Sequence, residues 1–106
     1  MSVLTLLLSI GCRVVEVPAP QSVPGILGPV GVLYLDDPVV DGDSVFGAFS
    51  PDERRIVLDR QMVGMFRRAM LAHERCHSAL SDYGVVLSSE QEEHVCNAMA
   101  ALEVAR

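Results

Sequence analysis

The chain has 106 residues, half of them hydrophobic and 21% charged, which supplies apolar material for one buried core and too little length for two. Fourteen acidic against eight basic residues give a net charge of -6, and the largest basic runs are Arg54-Arg55 and Arg67-Arg68. Binding to a phosphate backbone needs clustered cations, so the balance argues against nucleic acid as a partner, and the hydrophobic content argues against a disordered chain.

Residues 3–10 form a short apolar run ending at Gly11-Cys12. No Lys or Arg precedes it and it is too short to cross a bilayer, so a buried strand continuing through residues 13–17 is expected in preference to an export signal or a membrane span. The three cysteines, Cys12, Cys76 and Cys96, are too few and odd in number for a disulfide framework. They read as free thiols in a reducing compartment, and hence place the chain in the cytoplasm.

Pro18, Pro20, Pro24 and Pro29 forbid a helix or a central strand through residues 18–29, which read as a loop. Residues 30–35 are a strand, stopped by Asp36-Asp37-Pro38, and Asp41-Gly42-Asp43 marks a further turn. Residues 45–49 and 55–58 flank Ser50-Pro51-Asp52-Glu53 and read as a hairpin. From Met62 the period changes: Phe66, Met70, His73, His77 and Leu80 recur at spacings of three and four, on one face of a helix that Gly84 ends. A second helix runs to the C-terminus, opened by Ser89 and Glu92 at capping-box spacing. The expectation is one α+β domain over residues 1–106: a small, mostly antiparallel sheet within residues 1–60, then two helices within residues 61–106.

The chemistry concentrates in His73-Glu74-Arg75-Cys76-His77, an H-E-x-x-H on the first helix. Residues four apart differ by about 40° around a helix and by about 6 Å along it, so both imidazoles can meet one ion, and the donor set suits zinc (Zn2+). Glu74 lies about 100° round from His73, off the ligand line, where it can act as general base on a water in an open coordination position. Catalytic zinc needs a third protein ligand. Leu80 stands where the metzincin extension has Gly, and no third His follows at the required offset. Among Asp82, Glu90, Glu92, Glu93, His94, Cys76 and Cys96, Glu93 ranks first because Ala100 and Val104 make its side of the helix buriable. Asn97, four residues on, projects from the same side and can support a ligand by hydrogen bonding. Glu92 and Asp82 stay open as alternatives, although a helix cap and a turn already explain them. Cys76 and Cys96 lack C-x-x-C spacing and read as small buried residues between helices.

These residues resemble the zincin metallopeptidases, in particular the short metallopeptidases predicted in bacteriophages and prophages. Residues 73–84 and Glu93-His94-Val95-Cys96-Asn97-Ala98-Met99-Ala100 are similar to an H-E-x-x-H, a small loop and an E-x-x-C-D-A-x-A pattern, preceded by a hairpin; the likeness covers residues 45–106. It implies zinc-dependent hydrolysis of peptide bonds, with His73, His77 and Glu93 holding the metal and Glu74 as general base. It also implies a peptide or protein substrate added as a strand to a sheet edge, for which Gly47-Ala48-Phe49 is the candidate. Asn97 stands where the pattern has Asp, which keeps a hydrogen-bond partner and removes a charge. Two rival readings are a metal-stabilised binding module without turnover, such as a phage structural or host-interaction protein, and a zincin that has lost its metal.

Overall fold

The computed structural model describes residues 19–105, so the strand expected within residues 3–17 lies outside the described region. In chain order the elements are β1 (Ser22–Val23), β2 (Val30–Leu35), β3 (Val39–Val40), β4 (Asp43–Ser44), β5 (Gly47–Ser50), β6 (Arg55–Asp59), α1 (Gly64–Tyr83) and α2 (Ser89–Ala105). The architecture is α+β with mostly antiparallel pairing. A four-stranded sheet runs β1-β2-β6-β5, antiparallel at its two outer pairs and parallel between β2 and β6, and β3 with β4 forms a separate hairpin. The parallel pair departs from the simple run of hairpins that the order of turns suggests. Its reason is burial: Ile56 and Leu58 of β6 are fully inaccessible, so β6 takes the centre of the sheet with a partner on each side.

One face of the sheet carries the core of Val23, Val30, Val32, Ile56 and Leu58, with Phe49, Met70 and Leu71 packed against it. Helix α1 crosses β5 and β6 on that face. Gly47 permits the close approach, because a Cβ there would sit 2.9 Å from both Leu58 Cδ2 and Met70 Cγ. Phe66, expected on the buried face, is 72% exposed, whereas the buried residues of α1 are His73, Glu74 and Ser78, all polar. The helix ends as the sequence indicates. Gly84 adopts φ 69°, and the N–H groups of Gly84 and Val85 close onto the carbonyls of Ser81 (3.1 Å) and Leu80 (2.9 Å), the paired bonds of a Schellman cap.

The β5–β6 hairpin is tied to the end of α1 through Arg54. The turn closes from the Arg54 N–H to the Pro51 carbonyl at 3.3 Å and leaves Arg54 at φ 45°, a left-handed conformation that costs about 1 kcal/mol for a residue with a Cβ. Its guanidinium offsets that strain, donating from Nη1 to Asp82 Oδ1 at 2.6 Å and from Nη2 to the Gly28 carbonyl at 2.8 Å. Asp82 also accepts from the Leu27 N–H at 3.3 Å. Asp82 is thereby committed to holding loop, hairpin and helix together, which removes it as a metal ligand.

Helix α2 begins one residue earlier than its sequence suggests. Ser88 Oγ accepts from the Gln91 N–H at 3.1 Å and Gln91 Oε1 accepts from the Ser88 N–H at 3.2 Å, so the capping box is Ser88 with Gln91 rather than Ser89 with Glu92. The single buried side chain of α2 is Cys96, which forms a disulfide with Cys76 of α1 across a Cα–Cα distance of 5.3 Å. The expectation of free thiols is therefore corrected, and with it goes the ground for assigning a reducing, cytoplasmic location. A separation of 20 residues carries no motif; only the packing of the two helices brings the sulfurs together, and closing that loop contributes roughly 3 kcal/mol. Among the described residues, no helix is long and apolar enough to cross a membrane.

The Arg54 hydrogen bond, backed by the Leu27 N–H, holds the Asp82 carboxyl below the usual carboxylate range. A lowered folded value means that the stabilisation is present above the ordinary Asp value near 3.9 and is lost as pH falls through the folded one. Asp82→Asn is expected to lower the thermal midpoint at pH 7 and to flatten the acid limb of the stability curve; denaturant melts between pH 2 and 7 on both proteins check this.

Candidate metal centre

His73 and His77 lie one turn apart on α1 and both point their Nε2 atoms at the start of α2. The two nitrogens are 3.1 Å apart, with the rings edge-to-face at a centroid distance of 4.8 Å. Glu93 reaches between them: its Oε2 lies 2.7 Å from His77 Nε2 and its Oε1 3.3 Å from His73 Nε2. Together these are the His/His/carboxylate cluster whose donor atoms could share one ion. A tetrahedral zinc with bonds of 2.0–2.2 Å sets its ligand atoms about 3.3 Å apart. The two imidazole nitrogens at 3.1 Å and the His73 Nε2–Glu93 Oε1 pair at 3.3 Å are near that spacing, while the His77 Nε2 pair with the other carboxylate oxygen, at 2.7 Å, would open by about half an ångström to admit an ion.

The hydrogen bonds around the cluster are compatible with a bound cation. Glu92 Oε2 lies 2.5 Å from His77 Nδ1. A carboxylate only accepts, so the proton of a neutral His77 sits on Nδ1 and Nε2 keeps its lone pair. That lone pair faces the Glu93 carboxylate and the His73 nitrogen. Each of these contacts can be closed by a ring proton, whose place depends on the tautomers, or by a cation. A divalent ion placed among them would meet both imidazole nitrogens and the Glu93 carboxylate at once.

Glu92 is the residue the sequence reading assigned wrongly. Placed in the helix cap, it instead pairs with His77 Nδ1 and orients that ring, the support that metal-bound imidazoles ordinarily receive from a carboxylate. Asn97, expected in a supporting role, is exposed and lines a neighbouring apolar hollow with Phe46, Phe66 and Met70, and no described hydrogen bond joins it to Glu93. The hydrogen-bonding support in the centre thus comes from the residue before Glu93 rather than from the one four places after it.

Glu74 occupies a different position. It is 4% exposed, and its Oε2 lies 4.0 Å from His73 Nε2, next to the ligands and outside their triangle. Burial pushes its pKa up to about 7; His77 pulls against the shift and the Glu93 charge adds to it. A carboxyl with that environment is poised to exchange a proton near neutrality. Tyr83, in contrast, is 71% exposed at the end of α1.

The centre opens into a cleft of about 680 Å³, walled by Phe46, Gly47, Ala48 and Phe49 on one side and by His73, Glu74, His77, Glu92 and Glu93 on the other. Strand β5 is an edge of the sheet. The Asp59 N–H donates to the Phe46 carbonyl at 2.8 Å, which makes Phe46 and, by alternation, Ala48 and Ser50 the residues bonded to β6. Gly47 and Phe49 therefore turn their backbone N–H and C=O groups away from β6, along the free edge beside the cleft. No family model, curated protein or solved structure matches this chain.

Glu92→Gln retains a hydrogen-bonding side chain and removes the charge that fixes His77. It is expected to weaken zinc binding roughly 10-fold, whereas Glu93→Ala or His77→Ala, each deleting a ligand, weakens it by a larger factor; competition against a chromogenic chelator measures all three.

Proposed function

We propose that the chain is a zinc-dependent metallopeptidase. The observation that carries the reading is the convergence of His73, His77 and Glu93 on one point, with the buried Glu74 carboxyl beside that point but not among the ligands. A metal site serving only structure has no use for a buried carboxyl held just outside it, since burial of an acid costs stability.

A zinc ion bound there would supply Lewis-acid polarisation of the scissile carbonyl and would ease deprotonation of water. The chain's own groups do the rest. Glu74 accepts the proton of the attacking water and delivers it to the leaving amine, which its position beside His73 and its near-neutral pKa both favour. Glu92 keeps His77 in the tautomer that leaves Nε2 free. The outward N–H and C=O groups of Gly47 and Phe49 are arranged to take an extended peptide as an added strand, which would lay a backbone carbonyl across the mouth of the centre. The substrate class that fits this edge is an extended peptide or an unfolded protein segment.

A second reading, a metal-stabilised binding module without turnover, draws on the poor apolar anchoring of α2, in which Val95, Met99 and Leu102 are all exposed. The two readings part at Glu74. In a peptidase, Glu74→Gln is expected to keep zinc at unchanged stoichiometry and to lower hydrolysis of a casein-type substrate by about 10²–10⁴-fold. In a binding module that change would be silent. Hydrolysis by the wild-type protein is expected to stop with a chelator and to return with zinc; elemental analysis alongside the assay checks occupancy, and a metal-loaded protein that never cleaves would overturn the enzyme reading.

A further inference from the structure

Helix α2 brings Glu93 to the metal centre, yet little holds α2 in place. Its only buried side chain is Cys96, and its apolar residues Val95, Met99 and Leu102 are 41%, 49% and 62% exposed. Outside the centre, Arg68 of α1 reaches the Glu103 carbonyl (3.0 Å) and carboxylate (3.6 Å) of α2, both at the surface where such pairs hold weakly. The disulfide is the covalent link between the two helices, and its position is specific. Cys76 stands directly before His77 and three residues after His73, while Cys96 stands three residues after Glu93, on the neighbouring turn of α2.

We infer that the Cys76–Cys96 disulfide is the element that positions Glu93 for metal binding, so that the thiol redox state of the pair governs zinc affinity. The inference rests on the metal centre proposed above and extends it to a control of that centre. With the bond closed, Glu93 is held at high effective concentration opposite the two imidazoles. With the bond open, α2 keeps its surface ion pair, its short link to α1 and the contacts of Glu92 and Glu93 with the histidines, and the third ligand is recovered from a wider ensemble each time the ion binds.

Cys76, half-buried, is the more accessible residue of the pair. Cys76 lines an open hollow of about 470 Å³ with Pro24, Ala79 and Met99, while Cys96 is 0% exposed. A dithiol reductant would attack Cys76 Sγ, forming a mixed disulfide and releasing the Cys96 sulfur as a thiolate that takes up a proton. The second thiol of the reductant then displaces Cys76, which is protonated in turn, and the reductant leaves as its own disulfide. Two electrons and two protons pass to the pair.

The test uses the full chain carrying Cys12→Ala, so that the pair supplies its only cysteines. Zinc affinity is measured by chelator competition on the oxidised protein, on protein reduced with a phosphine and desalted without oxygen, and on the Cys76→Ala/Cys96→Val variant. That variant fills the buried position with an apolar side chain and removes thiols that might capture zinc themselves. Metal-free hydrogen exchange of α2 is followed in parallel, with circular dichroism confirming that the helices persist. The expected result is at least about 10-fold tighter zinc binding in the oxidised form than in the other two, with faster exchange in α2 once the bond is open. Equal affinity in all three forms overturns the inference and leaves the metal centre standing. Failure of the oxidised protein to bind zinc removes the metal centre and this inference with it. Should the variant lose its helices, the reduced wild-type pair decides alone.

Discussion

Two imidazole nitrogens and a carboxylate meet between α1 and α2, and much of the molecule can be understood as what is needed to hold them there. Three polar groups converge at one point only where the surrounding structure fixes each of them. Glu92 fixes one ring, the regular turn of α1 fixes the spacing of both, and the disulfide fixes the helix that carries the carboxylate. Each of these acts on a different degree of freedom: ring rotation, axial separation and the distance between helices.

The same demands explain why the core is small. Helix α1 lies on the sheet through Met70 and Leu71, but its fully buried positions are His73, Glu74 and Ser78, where a helix devoted to packing would place Leu or Ile. Burial of polar groups in the middle of the helix–sheet contact removes hydrophobic stabilisation at the point where most domains concentrate it. Covalent and ionic fastenings take over part of that function. Arg54 with Asp82 joins hairpin to helix, and Cys76 with Cys96 joins helix to helix, as small domains with limited cores commonly require.

What could be read from the amino-acid order follows from the range of the forces involved. The H-E-x-x-H spacing, the break at Gly84, the strand at residues 30–35 and the hairpin around Pro51 are local: each follows from helical period, backbone freedom at one residue or turn chemistry. Glu93 reached the first rank by a mixture of local exclusion and family resemblance. The features that escaped depend on tertiary placement. Whether β6 pairs with β5 alone or also with β2 is decided by which strand is buried on both flanks, and the approach of Cys76 to Cys96 exists only once two helices have packed. Phe66 was misplaced for a related reason: three-and-four spacing finds a face but cannot say how far a sheet extends beneath it.

Glu92 shows how a shift of one residue propagates into a chemical assignment. Ser88, Ser89, Gln91 and Glu92 offer two overlapping capping boxes, Ser88 with Gln91 and Ser89 with Glu92, and either satisfies the helix N-terminus. The choice between them is not made by the cap. A carboxylate would give the stronger bond at either place, and in this structure it pairs with His77 Nδ1 while the glutamine amide oxygen accepts from the Ser88 N–H. The stronger interaction takes the charged side chain, and the cap is left with glutamine. Where two local readings of a sequence are nearly equal in energy, the contact with the larger electrostatic stake selects between them, and here that contact is the one that orients His77 in the candidate centre.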